Sequence, residues 1–433
     1  MNAMDKIAKG ASFIFIGILF SKVMNYLYRV ILARYLGPAD FGILSLGFAI
    51  LGVIATLCLL GIPQGIVRFV SYYKGKDDNA SINGIISTAF KFIVPLSLIF
   101  GVLIFLLSDW MAITFFSKPS LGLVLRVLAF ALPLMVLLNI TDKIVVAFQK
   151  VQYNIISINI FENIVKVGLT FVFLLTGLGL AWVASAYVFS LFCGFVLLFW
   201  FLQKKVYRLE VGSEKRDVSK RLFKFSLPLL FTELFVSLLL WTDTLILGHF
   251  LQSEWIGIYN IAAPTAMLVY IVPTTIRIMF YPVISEEYAK KNHIVKLYKS
   301  VTNFILFLTL PVAVFLILFS KEFLGIFFGA DYVVGYWVLI IICIAYFIFA
   351  LVNTAHVMLF VLKKTKLVLL NTAVAVVLNI CLNIYLIPKY GIEGAALATG
   401  ISLVVRGILI FIESVYFMKV SPFVWRSVVP FIV

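Results

Sequence analysis

Residues 41–62 read FGILSLGFAILGVIATLCLLGI, a stretch of apolar and small residues without a charged side chain. A helix needs about 20 predominantly apolar residues to cross a bilayer, so this stretch predicts a membrane-spanning helix. Similar stretches recur along the whole chain. Apolar length and flanking charge predict twelve spans: Ser12–Ala33, Phe41–Ile62, Ile85–Leu107, Leu121–Phe148, Ile155–Leu175, Leu180–Leu202, Phe223–Leu247, Trp255–Tyr281, Val301–Phe319, Val334–Leu362, Leu367–Ile387 and Gly394–Met418.

The composition agrees with this interpretation. Hydrophobic residues make up 63% of the chain and charged residues 12%, whereas soluble domains are about 45–50% apolar and about 25% charged. A soluble globular enzyme, a disordered protein and a secreted disulfide scaffold are therefore excluded. The predicted fold is all-α, a polytopic membrane protein.

The distribution of basic residues predicts the topology. With a cytoplasmic N-terminus, 23 Lys and Arg residues fall in or beside cytoplasmic loops and four lie on the opposite side. An excess of basic residues in cytoplasmic loops sets the orientation of membrane proteins. We therefore expect a multi-pass protein of the plasma membrane with both termini cytoplasmic. The net charge of +16 then reflects topology, and no nucleic-acid partner is expected.

Two six-helix halves are predicted on either side of the longest cytoplasmic loop. Residues 35–45 (YLGPADFGILS) resemble residues 250–260 (FLQSEWIGIYN), and residues 179–184 (GLAWVA) resemble residues 391–396 (GIEGAA) at nearly the same offset. Repeats with an even number of spans share one orientation, so their pseudo-twofold axis lies along the membrane normal. The predicted parts are an N-terminal lobe (1–203), a basic linker (204–222), a C-terminal lobe (223–418) and a tail or truncated thirteenth helix (419–433).

Polar residues occupy one face of the first predicted helix. Lys22, Asn25, Tyr26 and Arg29 are spaced as i, i+3, i+4 and i+7, which places them together on a helix. A charge at the bilayer centre costs about 2.5–3.5 kcal/mol, so the two cations are expected to face a hydrated cavity or a partner. No acidic residue shares this face. The pattern favours an anionic ligand group such as a phosphate or diphosphate.

Two further basic residues are candidates for the same site. Lys166 lies on the fifth predicted helix, four residues after Glu162, so it either forms a local ion pair that joins helices or faces the ligand. Arg277 lies on the eighth helix, and it either faces a ligand or pairs with an acid. Both alternatives stay open at this point.

Acidic residues in the seventh helix are candidates for a coupling ion. Glu233 and Asp243 could each bind H⁺ or Na⁺, or could pair with a basic residue of another helix. Arg406 and Glu413 are predicted to form a structural pair, and His356 is predicted to be a packed polar residue. The sequence contains no phosphate-binding loop, no metal-ligand spacing and no nucleophile motif. We therefore expect no enzymatic activity and no cofactor other than a coupling ion.

Several motifs resemble the polysaccharide flippase family, which comprises Wzx-like and polysaccharide-transport members. This family belongs to the superfamily that also contains the MATE exporters and the lipid II flippase. The most specific motif is ARYLGPADFGI at residues 33–43. The other matching positions are Lys9–Ser12, Ser21–Lys22, Gly61, Arg68, residues 159–163 (NIFEN), Lys166 and residues 391–396.

The resemblance implies a fold and a substrate. It implies two six-helix bundles arranged in a V around a central cavity, which work by alternating access. It also implies a lipid-linked sugar, carried on a polyprenyl diphosphate, that moves from the cytoplasmic to the outer face. Lys22, Arg29 and Arg277 would then contact the diphosphate. Polysaccharide-transport members usually have fourteen helices, so this shorter chain departs from the family where extra helices would form a lipid-tail groove.

The leading hypothesis is therefore a flippase for a lipid-linked oligosaccharide or polysaccharide repeat unit. Its expected partners are this substrate, membrane lipid and proteins of glycan assembly. The expected head-group site comprises Lys22, Asn25, Arg29, Lys166 and Arg277. The alternative is a MATE-like, ion-coupled antiporter of drugs or metabolites, which would depend more on Glu233 and Asp243. A third hypothesis is a membrane partner of a glycan polymerase without transport activity.

Overall fold

The computed structural model of the protein describes residues 3–208, 214–290 and 294–418. Within these ranges every regular element is a helix and none is a strand, which confirms the predicted all-α fold class. The chain forms two compact units, Met1–Ser237 and Leu238–Val433. The predicted tail or thirteenth helix at 419–433 lies outside the described residues.

The first unit contains eight α-helices and the first half of a ninth. They are α1 (Ala3–Leu59), α2 (Ile62–Lys74), α3 (Asn79–Trp110), α4 (Pro119–Ala129), α5 (Ala131–Ala147), α6 (Val151–Asn154), α7 (Asn163–Leu175), α8 (Leu180–Phe201) and α9 (Ser219–Phe250). Stretches of π-helix at Met111–Phe115, Ile155–Glu162 and Leu202–Val206 extend α3, join α6 to α7 and extend α8. Helix α5 lies inside this unit and packs against α2, α3 and α8.

The second unit contains the remainder of α9 and seven further α-helices. They are α10 (Ser253–Ala266), α11 (Ile271–Ala289), α12 (Ile294–Leu318), α13 (Ser320–Phe328), α14 (Tyr336–Leu351), α15 (Asn353–Val361) and α16 (Thr365–Met418), with 3₁₀ turns at Met267–Tyr270 and Ala330–Gly335. Helix α14 packs against α10, α12 and α16. Its buried face includes Val338, Leu339 and Ile342.

The number of membrane spans depends on how the bent helices are divided. Nine helices in the described ranges are long and apolar enough to cross a membrane, and the pair α4 and α5, bent by 41°, would be a tenth span. Two of the nine are 44 and 54 residues long. At 1.5 Å per residue, each exceeds twice the roughly 30 Å of a hydrocarbon core. Each is also interrupted, at Gly37 and at Gly391.

Division at these two glycines would give twelve segments, but the count of twelve remains a prediction. Gly37 and Gly391 adopt positive φ angles of 73° and 60°, which glycine tolerates far better than other residues. The pseudo-twofold axis, the V shape and the central cavity also remain predictions, because they concern the arrangement of the two units.

The described part of the predicted linker packs on the start of α3. The Arg216 backbone N–H donates to the Ala80 carbonyl at 3.0 Å, and its guanidinium lies 3.0 Å from the Asp78 carboxylate. Asp78 caps α3 by accepting bonds from the hydroxyl and the backbone N–H of Ser81. These bonds, with the charge of Arg216, hold the pKa of Asp78 below its ordinary value. Basic charge in this segment is therefore partly neutralised.

The boundary between the two compact units lies within α9, between Ser237 and Leu238. The predicted boundary lies earlier, at the linker 204–222, of which residues 209–213 lie outside the described ranges. The predicted lobes 1–203 and 223–418 remain a prediction about the organisation of the protein.

Candidate functional site

A buried cluster in the first unit brings together two of the predicted site residues. Lys166 on α7 is only 6% exposed, and its Nζ donates a hydrogen bond of 2.8 Å to Asn25 Oδ1 on α1. Asn25 in turn donates to the Ser21 carbonyl at 2.8 Å. The Lys166 ammonium also lies 5.2 Å from the centroid of the Tyr28 ring, a cation–π distance. Lys166 therefore contacts another helix, and Glu162 lies close enough for its charge to act on that of Lys166.

Glu162 itself is buried without a complete set of partners. No side chain in the described ranges lies within hydrogen-bonding distance of its buried Oε2 atom. The carboxylate packs against Gly194 of α8, where a Cβ atom would approach Oε2 to 3.3 Å. Glu162 ends a π-helical stretch, a feature frequent at functional sites. Asn163 donates to the carbonyls of Ile158 and Asn159, which lie in this stretch.

Two further predicted site residues of the first unit, Lys22 and Arg29, lie on α1 with Asn25. Lys22 is exposed, and Arg29 is half-buried. Arg29 lies close enough to Lys166 for the two positive charges to act on each other. Lys22, Arg29 and Lys166 together outnumber the single acid Glu162. Positive charges therefore outnumber negative ones among these residues, and the head-group site in the first unit remains a prediction.

Arg277 belongs to a second cationic cluster, in the second unit. His356 on α15 is 7% exposed, and neither of its ring nitrogens has a hydrogen-bond partner. The charges of Arg277 and Arg406 both act on this ring. Arg406 on α16 packs its guanidinium 5.5 Å from the centroid of the Phe349 ring, and its buried Nε is also unpartnered. Among the described residues, no acidic side chain forms an ion pair with either arginine.

The predicted pair of Arg406 with Glu413 is wrong. Glu413 lies after the break of α16 at Gly391, and it instead accepts a hydrogen bond of 2.7 Å from Asn371, which lies before that break. A buried charge without a partner is costly, because its hydration is lost and nothing replaces it. The cluster of Arg277, His356 and Arg406 therefore has the electrostatic character of an anion site. Sequence reasoning missed the contribution of His356 and Arg406.

Asp243 lies in a third polar cluster, also in the second unit. Its carboxylate is 5% exposed. Oδ1 accepts hydrogen bonds from Asn383 at 2.7 Å and Asn379 at 3.1 Å. Oδ2 accepts from the Tyr259 hydroxyl at 2.5 Å and the Thr399 hydroxyl at 2.5 Å. Four neutral donors thus satisfy this carboxylate without a basic residue, contrary to the pairing alternative.

The cluster around Asp243 is also rich in oxygen atoms. Oδ1 of Asn379 and Oδ1 of Asn383 are buried and lack hydrogen-bond partners. Carboxylate, amide and hydroxyl oxygens are the ligands that hard cations prefer. The spacing of the two asparagines, i and i+4 within an apolar stretch, was the sequence signal that could have indicated them as neighbours of one site.

Glu233 lies elsewhere on α9 and has a different environment. It is exposed and lines a polar cavity of about 300 Å³ in the first unit, with Asn139 and Lys143. No described basic side chain forms an ion pair with it. The two acids therefore lie on one helix, as the sequence predicts, but in different surroundings, since Glu233 belongs to the first unit and Asp243 to the second.

The fold and these clusters define the class of the protein. It is a polytopic helical membrane protein whose two units carry buried charged and polar groups, as expected of a transporter. A family model described as "Polysaccharide biosynthesis protein" matches residues 7–287, and a model named MatE matches residues 228–385. The chain belongs to the polysaccharide biosynthesis protein family, which confirms the resemblance in the sequence.

Similar proteins support this assignment. The chain is 26% identical over 414 residues to a protein of Haloferax volcanii named "Probable low-salt glycan biosynthesis flippase Agl15", covering 93% of this chain and 82% of that protein. Two solved structures have the same fold at 17% identity and a TM-score of 0.76. One is an inward-facing multidrug MATE transporter, with 92% of this chain and 94% of that chain covered. The other is the lipid II flippase MurJ, with 94% and 87% covered.

Proposed function

We propose that the protein is a flippase that moves a lipid-linked oligosaccharide or polysaccharide repeat unit from the cytoplasmic to the outer leaflet of the cell membrane by alternating access. The proposal rests on the buried cluster around Lys166 and on Arg277 and Arg406, with which no acidic side chain of the described residues forms an ion pair. Membership of the polysaccharide biosynthesis family and the name of the Haloferax volcanii relative, a glycan flippase, support the same conclusion.

A polyprenyl diphosphate is the carrier that best fits these groups. The head-group residues are Lys22, Asn25, Arg29 and Lys166 of the first unit and Arg277 of the second. Diphosphate oxygens accept the charge-assisted hydrogen bonds that guanidinium and ammonium groups donate. Arg406 and His356 extend the site next to Arg277, because the Arg406 Nε–H and the ring N–H of His356 lack acceptors among the described residues. The protein would perform no chemical reaction on its substrate.

Coupling to an ion gradient is assigned to Asp243. Its carboxylate, with the unpartnered amide oxygens of Asn379 and Asn383 beside it, supplies the oxygen atoms that H⁺ or Na⁺ binding requires. Glu233 stays a weaker candidate for the same role. Proteins of glycan assembly would supply the substrate on one side of the membrane and consume it on the other.

Charge reversal in reconstituted vesicles tests the proposal. The probe is a fluorescent polyprenyl diphosphate that carries one N-acetylglucosamine, and its transfer between leaflets is measured by quenching. We expect Lys22→Glu, Arg29→Glu and Arg277→Glu to slow transfer about tenfold or more, because juxtaposed like charges cost several kcal/mol. Lys22→Arg and Arg29→Lys should retain most of the transfer. Lys296→Glu, at an exposed lysine outside both clusters, is the matched control.

The same vesicles distinguish the alternatives. Transfer at the wild-type rate in all three reversal variants would contradict the proposal. The observation that supports the alternative, a MATE-like antiporter, is the match of the MatE family model to residues 228–385. This alternative predicts no transfer of the lipid probe, together with efflux of an organic cation that Asp243→Asn and Glu233→Gln abolish.

A further inference from the structure

The polar cavity beside Glu233 has a composition that neither the head-group site nor the coupling site explains. It has a volume of about 300 Å³ and lies within the first unit. Helices α1, α2, α5 and α9 form its walls. The residues that give it polar character or shape are Thr56, Gly61, Gln64, Asn139, Lys143 and Glu233.

The charges of the cavity do not suit a phosphate. The Lys143 ammonium lies 2.8 Å from the carboxylate of Asp142, so its charge is already compensated. Asp142 also accepts a hydrogen bond from Asn154. Glu233 adds a carboxylate to which no described base is paired. A phosphate entering this cavity would meet an unpaired negative charge, which disfavours it.

The hydrogen-bonding groups suit hydroxyl groups instead. Asn139 Oδ1 is buried and has no hydrogen-bond partner among the described residues, so it is an acceptor that needs a donor. Glu233 offers further acceptors, while the Asn139, Gln64 and Lys143 nitrogens offer donors. The Thr56 hydroxyl donates to the Gly52 carbonyl at 2.9 Å, which leaves its lone pairs free to accept. A hydroxyl donates and accepts at once, so a ring bearing several hydroxyls matches this mixture.

The walls of the cavity are held close together. Gly61 has a positive φ of 67° at the start of α2. A Cβ atom there would collide with the Ser226 carbonyl oxygen and would lie 2.6 Å from the Leu230 nitrogen of α9. Backbone atoms cannot move aside as a flexible side chain can, so α2 and α9 are fixed at this spacing. This contact fixes two of the four walls of the cavity, as suits a site for a small ligand.

We infer that this cavity binds one sugar unit of the transported glycan and contributes to glycan selectivity. Its volume is at the lower end of the range for small-molecule sites, about 300–1,000 Å³, so it accommodates a single ring rather than an oligosaccharide. The inference rests on the proposed function, because it adds a sugar subsite to the diphosphate site. Glu233 then binds hydroxyl groups of the substrate, and its carboxylate is used for recognition.

Saturation-transfer NMR on the full chain in nanodiscs tests the cavity directly. The probes are the methyl glycosides of glucose, galactose, mannose and N-acetylglucosamine. We expect saturation transfer to at least one of them, and about a tenfold weaker affinity in Asn139→Leu and in Glu233→Leu. Glu233 is exposed, so its substitution leaves the helix packing intact even if Asn139→Leu folds poorly. Gln152→Leu, at an exposed amide outside the cavity, should bind like the wild type.

Three outcomes would overturn the inference. The first is no saturation transfer from the wild-type protein to any glycoside. The second is binding that both cavity variants retain. The third is displacement of the bound glycoside by tetraphenylphosphonium, which would identify a cation pocket.

A second measurement separates this inference from the proposed function. Leaflet transfer is compared for polyprenyl diphosphate with and without one N-acetylglucosamine. If neither probe moves with the wild-type protein, the flippase proposal fails, and the NMR result still decides whether the cavity binds sugar. If the wild type moves the sugar-bearing probe faster than the bare probe, loss of this difference in Glu233→Leu supports the cavity as a selectivity element. An unchanged preference for the sugar-bearing probe contradicts it.

Discussion

Asp243 and Arg406 are both ionisable side chains of the second unit, and they differ in how their polar atoms are satisfied. Asp243 accepts four hydrogen bonds, whereas the Arg406 Nε is buried with no acceptor. A satisfied buried group stabilises a single local arrangement, and an unsatisfied one destabilises the protein until a ligand supplies the missing partner. At the residue scale, this contrast separates a position suited to a small cation from one suited to an anion.

Substitutions at Asp243 should separate stability from coupling. We expect Asp243→Asn to stay folded, because its amide oxygen still accepts and its NH₂ can donate to a hydroxyl of Tyr259 or Thr399. Asp243→Leu should lower the unfolding temperature clearly, because it removes the acceptor of four hydrogen bonds and leaves the Asn383 and Tyr259 donors without it. Each orphaned donor costs about 1–3 kcal/mol in soluble proteins, and hydrogen bonds in membrane helices contribute about 0.6 kcal/mol on average. Thermal unfolding in detergent measures this difference.

The functional part of the prediction uses the folded variant. In vesicles, imposing a Na⁺ or proton gradient should accelerate transfer by the wild type and have no effect on Asp243→Asn. Asp331→Leu, at an exposed acid, is the control for stability. Equal unfolding temperatures for Asp243→Leu and Asp331→Leu, or a gradient response in Asp243→Asn, would contradict the role assigned to Asp243.

Residue spacing predicted part of the site and missed the rest for a physical reason. The i, i+3, i+7 row of α1 contains Asn25, which Lys166 contacts, and ligand binding by this row remains a prediction. Spacing on one helix also suggested that Arg406 pairs with Glu413, which the structure does not support. A pattern along one helix cannot reveal which neighbouring helix supplies the partner. The contact of Arg406 with Phe349 depends on tertiary packing.

At the scale of elements, apolar length located the spans, and local chemistry changed their shape. The predicted span Leu121–Phe148 is divided into α4 and α5 with a bend of 41°. The predicted spans Ser12–Ala33 and Phe41–Ile62 form one long helix with a break at Gly37. Hydropathy reports whether a segment is buried in lipid and contains no information about these bends. The backbone angles at the two glycine breaks could not be read from the composition.

Gly61 and Gly177 offer a matched test of helix packing. Both have positive φ angles, 67° and 71°, so an alanine at either position pays a similar conformational cost of about 1–2 kcal/mol. At Gly177 nothing lies within 4 Å of an added Cβ, whereas at Gly61 the backbone of α9 blocks it. We therefore expect Gly61→Ala to lower the unfolding temperature substantially more than Gly177→Ala. Equal effects would mean that α2 and α9 are not held in close contact at Gly61.

At the scale of the whole molecule, the topology combines the charge distribution with the parity of the spans. The positive-inside bias predicts that Lys76 and Lys296 lie in cytoplasmic segments and that Thr176 and Lys321 lie on the opposite side. The helices α3, α4, α5 and α7 lie between Lys76 and Thr176. These two residues lie on opposite sides of the membrane only if the bent pair α4 and α5 crosses it once. The side of the membrane on which Thr176 lies therefore depends on whether α4 and α5 form one span or two, which the helix bounds leave open.

Accessibility of single cysteines measures this topology. In a variant without the four native cysteines, Lys76→Cys, Thr176→Cys, Lys296→Cys and Lys321→Cys are introduced one at a time, at exposed positions. A membrane-impermeant maleimide should label Cys at 76 and 296 only in inside-out vesicles, and Cys at 176 and 321 only in right-side-out vesicles. Labelling of 76 and 176 from the same side would mean that α4 and α5 cross separately. Labelling of 76 and 296 from opposite sides would place an odd number of spans between them, which is incompatible with two six-helix halves of one orientation.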